Sequence, residues 1–217
     1  MRLAILVSSL CLPAWGLAVE PAVAAAVAQQ ELSAALTAQA DVRHGAQLFA
    51  TPCASCHGPD AAAVSDGSVP ALAGQRASVV IRQLLDYRNS RRWDLRMENF
   101  SDSHHLPTAQ DIADVAGFVA QLTPAANTGV GNGRYVQRGQ QQFQRRCASC
   151  HGAQGEGSET AAVPRLAAQH YAYLLRQMHD AVEGRRPNFS PEHKALLARF
   201  EMADFVGVAD YLARLPP

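Results

Sequence analysis

The sequence predicts an all-α protein that contains two tandem copies of one helical unit. The hexapeptide CASCHG occurs at 53–58 and again at 147–152, an offset of 94 residues. Other residues recur at the same offset, as Val69-Pro70 and Val163-Pro164 do, so the chain is an internal duplication. Apolar residues follow helical spacing, and no segment shows the alternation that is typical of a strand.

The N-terminal segment has the pattern of a secretory signal peptide. Arg2 gives a positive start, Leu3 to Leu17 is mostly apolar, and small residues around Ala18 offer a cleavage site. We therefore expect residues 1–18 to be removed and the protein to be exported, with a retained membrane anchor as the alternative. The Ala-rich stretch 19–40 is predicted to be a helical or frayed lead-in.

Each unit is predicted to contain three main helices. The first unit spans 41–122 and the second 135–217, and between them TPAANTGVGNGR at 123–134 has the Pro, Gly and Asn content of a linker. Thr108 is the expected N-cap of the last helix of the first unit. The predicted helices are Val42–Phe49, Ser78–Arg88 and Asp111–Leu122, and then Val136–Phe143, Ala172–Val182 and Ala203–Leu215.

Charge and cysteine content exclude several classes of protein. The chain has 19 basic and 19 acidic residues, so it lacks the basic surface that nucleic-acid binding requires. Loss of a signal peptide would also remove Cys11, which leaves four cysteines, all within the CASCH motifs. No cysteine then remains outside the motifs for a structural disulfide, although exported proteins commonly use them.

The CASCH motif has three possible functions. A redox-active Cys-x-x-Cys pair is typical of a βαβ context, which is absent here, and paired cysteines of a zinc site normally lie closer together in sequence. Cys-x-x-Cys-His is the signature of covalent c-type haem attachment, and it also explains the histidine. Two motifs therefore predict two haem c groups, which would fill the cores of units that have few large aromatic residues.

The chain resembles the di-haem class I c-type cytochromes, especially those of the cytochrome c4 type. The resemblance rests on both CASCH motifs and on four further stretches, VPALAGQ, VPRLAAQ, IRQLLDYR and LRQMHDAV. It implies two class I cytochrome c domains packed together in a monomer, each around one haem. It also implies one-electron transfer in the periplasm, in a respiratory or related redox chain, with redox proteins such as a membrane-bound oxidase or dehydrogenase as partners.

The resemblance also implies roles for individual residues. His57 and His151 would be the proximal ligands of the irons, and the carbonyls of Pro70 and Pro164 would accept a hydrogen bond from their imidazoles. The thioether bonds to the haems would come from Cys53, Cys56, Cys147 and Cys150.

The distal ligands are where the sequence departs from the family, which normally uses a methionine. In the second unit His193 occupies the expected slot before the last helix, so it is the predicted ligand of the second haem. In the first unit Met97, His104 and His105 are candidates. The spacing to the last helix favours His104, whereas the family's chemistry favours Met97.

Two functional hypotheses follow. An electron carrier needs no acid–base residues, and the sequence shows no such constellation, so we expect no catalytic residue and no enzymatic activity. The alternative is a haem enzyme, or a cytochrome subunit of one, in a peroxidase-like or sulfur-compound-oxidising system. That role requires an iron with an open coordination position.

Overall fold

A computed structural model describes residues 21–63, 66–125 and 129–217, and this part of the chain is almost entirely helical. Its only β-type pairing is one isolated bridge between Ser158 and Val163. The predicted signal peptide, residues 1–18, lies outside the described residues.

The helices of the first half enclose the first motif. A short π-helical segment, Phe49–Cys53, leads directly into the helix that carries the motif histidine. The helices are α1 Pro21–Thr37, α2 Val42–Leu48, α3 Ala54–His57, α4 Ala77–Arg88, α5 Leu95–Phe100 and α6 Ala109–Gln121. Thr108 caps α6 through a reciprocal capping box with Asp111, which confirms the predicted N-cap.

The second half repeats this order without a counterpart of α1. Its helices are α7 Val136–Arg146, α8 Ala148–His151, α9 Tyr171–Val182, α10 Pro191–Leu197 and α11 Met202–Ala213. The short helices α5 and α10 were not predicted, because six or seven residues are too few for a hydrophobic period to show.

In each half the helix before the motif crosses the last helix at a glycine. A Cβ atom on Gly45 of α2 would overlap the carbonyl of Asp114 in α6, and one on Gly139 of α7 would overlap the carbonyl of Gly207 in α11. The two backbones therefore touch directly, which only glycine permits. In each half, this crossing fixes the angle at which the backbone enters the CASCH motif.

The lead-in forms helix α1, which packs on α4 and α6. Ala28 and Ala35 are buried, and Glu31 forms an ion pair with Arg88 of α4. The helical alternative for this stretch is therefore confirmed. In the part of the chain that the structure describes, no helix combines the length and apolarity needed to cross a membrane.

The two halves meet through a nearly symmetric set of hydrogen bonds. The side chain of Gln75 accepts from Arg165 N at 2.8 Å and donates to Arg165 O at 3.0 Å. Its repeat partner Gln169 accepts from Ala71 N at 2.9 Å and donates to Ala71 O at 2.8 Å. Since Ala71 and Arg165 are themselves repeat partners, the halves are related by an approximate two-fold axis.

Candidate functional site

A single continuous cavity of about 800 Å³ runs through both halves of the molecule. Its size is in the upper part of the range of small-molecule sites, about 300 to 1,000 Å³. The cavity brings together nearly every residue that the sequence predicted for the site. These are Cys53, Cys56, His57, Pro70 and Met97 from the first half and Cys147, Cys150, His151, Pro164 and His193 from the second.

Each motif histidine is fixed by a proline carbonyl. The Nδ1 atoms of His57 and His151 lie 3.1 Å from the carbonyl oxygens of Pro70 and Pro164. Because a carbonyl only accepts, Nδ1 carries the proton, and Nε2 is left with a free lone pair for a metal. Burial lowers the pKa of both histidines, which favours the neutral imidazole that binds iron.

The helices that carry the motifs end immediately after the histidines. Gly58 and Gly152 adopt φ values of 74° and 83°, in the left-handed region where a side chain would be strained. The chain therefore turns back towards the cavity, which brings the loop with the proline carbonyl beneath the imidazole. This geometry explains why CASCH is followed by glycine in both copies.

The environment of the cysteines argues against the two other functions of a Cys-x-x-Cys motif. Burial raises the pKa of Cys53 and of Cys147 to about 11, whereas redox-active pairs have a thiol with a lowered pKa. Within the described ranges, the only three-residue cluster with metal-ligand spacing is His44, Asp111 and Asp114. The four cysteines therefore do not form a common zinc site.

In the second half a histidine faces the motif histidine across the cavity. The ring centres of His151 and His193 are 6.2 Å apart. Two metal–nitrogen bonds of about 2 Å each, with the metal between two imidazoles, require a ring separation of roughly 6 Å. Burial, with the neighbouring His151 and Arg186, lowers the pKa of His193 to about 4, so its imidazole is neutral.

In the first half the three candidates for the distal ligand differ in whether they reach the cavity. Met97, on α5, is partly buried, packs on the core of this half and lines the cavity. His104 is exposed, and His105 is held by Asp102 through Nδ1 at 3.0 Å. Neither histidine is among the residues that line the cavity, so the geometry disfavours the sequence-based preference for His104.

Other residues of the second half are less suited to bind the second iron. Met202 is 63% exposed at the start of α11. Met178 lines the cavity and packs against the core clusters of this half, but it is His193 whose ring lies 6.2 Å from that of His151. His179 stacks on Phe205 at a ring distance of 4.6 Å.

Polar residues from both halves form a network on the cavity wall. Arg92 donates to Gln83 at 2.6 Å and to Gln177 at 2.8 Å. Arg186 donates to Gln177 at 2.8 Å and to Gln83 at 3.1 Å. Arg92 is only 7% exposed. The sequence did not predict this network, although Gln83/Gln177 and Arg92/Arg186 are repeat pairs.

The residues of the cavity fit two haem groups. Each half offers two thiols, one imidazole with a free Nε2 and an apolar wall, and the cavity accepts a ligand of this class. One buried polar atom in the described residues, Nε of Arg165, has no hydrogen-bond partner in the protein, as expected where a bound group supplies an acceptor.

Comparison with known proteins gives an independent result. The family model described as cytochrome c matches residues 42–123 and 136–215, one match for each half. Among curated proteins, "Cytochrome c4" of Azotobacter vinelandii is 29% identical over 189 residues, which cover 76% of this chain and 85% of that protein.

Two further relatives cover most of the chain. The "Thiosulfate dehydrogenase electron acceptor" of Stutzerimonas stutzeri is 29% identical over 178 residues, with 79% of this chain and 82% of that protein covered. The crystal structure of reduced recombinant cytochrome c4 from Pseudomonas stutzeri superimposes with a TM-score of 0.71 over 82% of this chain and all of that one. Its 24% identity makes it a likeness of fold.

Proposed function

The chain belongs to the cytochrome c family, and on that premise we propose that it relays single electrons between redox proteins of the periplasm. It carries two covalently bound haem c groups, one in each half, and is an electron-transfer protein rather than an enzyme. The duplication predicted from the repeated CASCH motif is thus a duplication of a haem domain.

The protein's residues hold and orient the two groups. When bound, haem supplies an iron that exchanges one electron reversibly. In the first half Cys53 and Cys56 would anchor it through thioether bonds, and His57 would bind the iron. The hydrogen bond from His57 to the Pro70 carbonyl fixes the tautomer and makes the imidazole a stronger donor to the iron. In the second half Cys147, Cys150, His151 and Pro164 have the same roles.

The distal ligands differ between the halves in this proposal. His193 would bind the iron of the second haem, which is supported by its ring distance of 6.2 Å from His151. Met97 would bind the iron of the first, which is supported by its place on the cavity wall, where His104 and His105 do not lie. A thioether ligand raises the reduction potential relative to a second imidazole, so the first haem has the higher potential.

The observation that carries the electron-transfer role is that both motif histidines line one cavity, together with a potential second iron ligand from each half. The test is an alkaline pyridine assay of haem content, together with a coulometric titration. We expect two haems and two electrons per chain, and no spectral change on adding carbon monoxide or peroxide. Rapid binding of carbon monoxide would instead reveal an iron with an open coordination position and would favour the alternative hypothesis of a haem enzyme.

Location and partners extend this proposal. Residues 1–18 are proposed to be a cleaved signal that exports the chain to the periplasm. N-terminal sequencing of the protein from a periplasmic extract should begin near residue 19, whereas an intact Met1 would contradict cleavage.

One class of electron donor follows from a relative. Since the Stutzerimonas stutzeri relative is named a thiosulfate dehydrogenase electron acceptor, a sulfur-oxidising enzyme is a candidate donor. Thiosulfate alone should then leave the oxidised protein unreduced, and thiosulfate with a thiosulfate dehydrogenase should reduce both haems. Reduction by thiosulfate alone would make the chain itself the enzyme.

A further inference from the structure

Arg165 stands out among the residues of the cavity because its position is fixed but its side chain is incompletely satisfied. It directly follows Pro164, whose carbonyl holds His151. Both its backbone N–H and its carbonyl are bound by the Gln75 side chain of the other half. Within the described ranges, its Nε atom is buried and has no hydrogen-bond partner.

The surroundings of Arg165 contain too little negative charge to satisfy it. Burial and the nearby positive charge of Arg76 lower its pKa, and only Glu156 acts in the opposite direction. Arg76 itself donates to the Glu156 backbone carbonyl, at 3.0 Å from Nε, rather than to a carboxylate. A buried donor of a charged group that lacks a partner is destabilising, so an acceptor is expected here.

The first half has no equivalent of this residue. The repeat partner of Arg165 is Ala71, which keeps the backbone contacts to Gln169 but has no charge. Beside the proline carbonyl, the two halves related by the approximate two-fold axis therefore differ by one guanidinium, whose Nε atom is buried. Both residues line the cavity, so the difference lies on the wall that faces the bound groups.

We propose that Arg165 donates its Nε–H to a carboxylate of the second haem and thereby raises the reduction potential of that haem. The inference rests on the two-haem function proposed above. Haem carries two carboxylate side chains, and guanidinium–carboxylate hydrogen bonds are among the strongest in proteins. Arg165 is a positioning and charge-compensating residue, and it does not touch the iron.

The direction of the effect follows from electrostatics. The oxidised haem has one more positive charge than the reduced haem, so an uncompensated carboxylate beside it stabilises the oxidised state. A guanidinium that neutralises this carboxylate removes that preference, and the low dielectric of a buried site makes the change large. Arg165 therefore offsets part of the decrease in potential that a second imidazole ligand causes.

The test is a spectroelectrochemical titration of the complete holoprotein and of three variants. Arg165→Gln removes the charge with little loss of volume, and Arg165→Lys keeps it. Arg76→Gln is the matched control, since it removes a neighbouring charge that is not on the cavity wall. Nuclear Overhauser contacts of the haem methyl groups with Phe49 or with Phe143 assign each transition to a half.

We expect Arg165→Gln to lower the midpoint potential of the second haem by a tenfold change in its reduction equilibrium, about 59 mV for a one-electron couple. The first haem should shift much less. Arg165→Lys should lower the potential of the second haem much less than Arg165→Gln does, because it keeps the charge. Arg76→Gln should also change this potential clearly less than Arg165→Gln does. Equal shifts from Arg165→Gln and Arg76→Gln, or a shift confined to the first haem, would overturn the assignment.

Haem content, measured on every sample, separates this inference from the function on which it rests. Two haems per chain with unchanged potentials in Arg165→Gln would contradict the role of Arg165 alone. Fewer than two haems in the unmodified protein would contradict the two-haem function itself.

Discussion

The two proposed iron sites have equivalent motif residues and differ in what lies opposite them. His57 and His151 have the same carbonyl partner at the same distance, 3.1 Å, so the imidazoles are equally oriented. His193 faces only the second of them. The duplicated unit thus offers two unlike proposed sites, which differ on the distal side.

The role of His193 predicts the effect of its removal. In His193→Ala the second iron loses its sixth ligand, so we expect high-spin absorption from one haem and binding of added imidazole or carbon monoxide. His179→Ala is the control, because His179 stacks on Phe205 and lies outside the cavity wall. A His193→Ala protein that stays fully low-spin and inert would show that another residue binds this iron.

A second residue-level difference makes the stability of the first half depend on pH. His44 Nδ1 lies 2.8 Å from the Asp114 carboxylate, and that contact, with Asp111 and Asp41 nearby, raises the pKa of His44 above its usual 6.5. At the repeat position of His44, Arg138 bonds to Asp204 at 2.6 Å and is always charged.

The sign of this dependence is fixed by the direction of the shift. A histidine whose folded pKa is raised stabilises the fold fully below pH 6.5, and the contribution is lost as pH rises through the folded pKa. We expect the melting temperature difference between the unmodified protein and His44→Gln to shrink from pH 6 to pH 8.5. Arg138→Gln should show a difference that is constant over this range; a constant difference in His44→Gln would contradict the prediction.

Of the individual residues, those with a chemical signature could be predicted from the sequence. The cysteines, histidines and prolines of both motifs lie on the cavity because covalent haem attachment dictates their spacing. For the first distal ligand, spacing favoured His104 and the family's chemistry favoured Met97. The sequence could not decide between them, because the loop between α4 and α6 does not align with its counterpart in the second half without a gap. Spacing alone did not reveal that α5 turns Met97 towards the cavity.

Among the helices, the crossings of α2 with α6 and of α7 with α11 define each half. The backbones are in contact at Gly45 and at Gly139, so neither position has room for a methyl group. The same crossing positions the start of each motif. Stability and haem geometry therefore depend on the same two contacts.

Substitution of these glycines should be strongly destabilising. In Gly45→Ala or Gly139→Ala the helices must separate, which costs about 1–3 kcal/mol or more, as overpacking in a core does. Gln141→Ala, at an exposed position of α7, should change stability by less than about 0.5 kcal/mol. Denaturant unfolding of the three variants measures this, and an unchanged midpoint for both glycine variants would show that the crossing tolerates a side chain.

The long helices could be predicted to within a few residues because their apolar period extends over three turns. The start and end of α4 and α9 each differ from the prediction by at most one residue. α7 continues through Arg146, three residues beyond its predicted end, because its polar last turn carries no apolar signal. The helix α1 remained uncertain in the sequence, since a stretch rich in alanine does not reveal what it packs against.

At the scale of the whole molecule, the halves are joined by glutamine side chains that bind backbone groups. Gln75 and Gln169 each make two such bonds across the interface. The network of Arg92, Arg186 and their shared glutamines adds further bonds at the wall of the common cavity. The sequence revealed the duplication but not this contact, because a repeat does not indicate which faces of its copies meet.

The interface predicts cooperative unfolding of the halves. The double variant Gln75→Ala/Gln169→Ala leaves the N–H and carbonyl groups of Ala71 and Arg165 without these partners. Each lost hydrogen bond should lower the free energy of unfolding by about 1 kcal/mol. We expect the calorimetric transition to broaden or split into two, while Gln140→Ala, at an exposed position, leaves it single. A sharp, unshifted transition in the double variant would show that the halves are held together elsewhere.

The proposed function and the difference between the halves both depend on two haems with unlike distal ligands, which the far-red absorption of the oxidised protein can distinguish. Iron bonded to methionine sulfur gives a weak charge-transfer band in this region, and iron bonded to two imidazoles does not. We expect a band with the intensity of one haem, abolished in Met97→Ala and unchanged in His104→Ala. Absence of the band from the unmodified protein, or its loss in His104→Ala alone, would contradict the assignment of Met97 and His193.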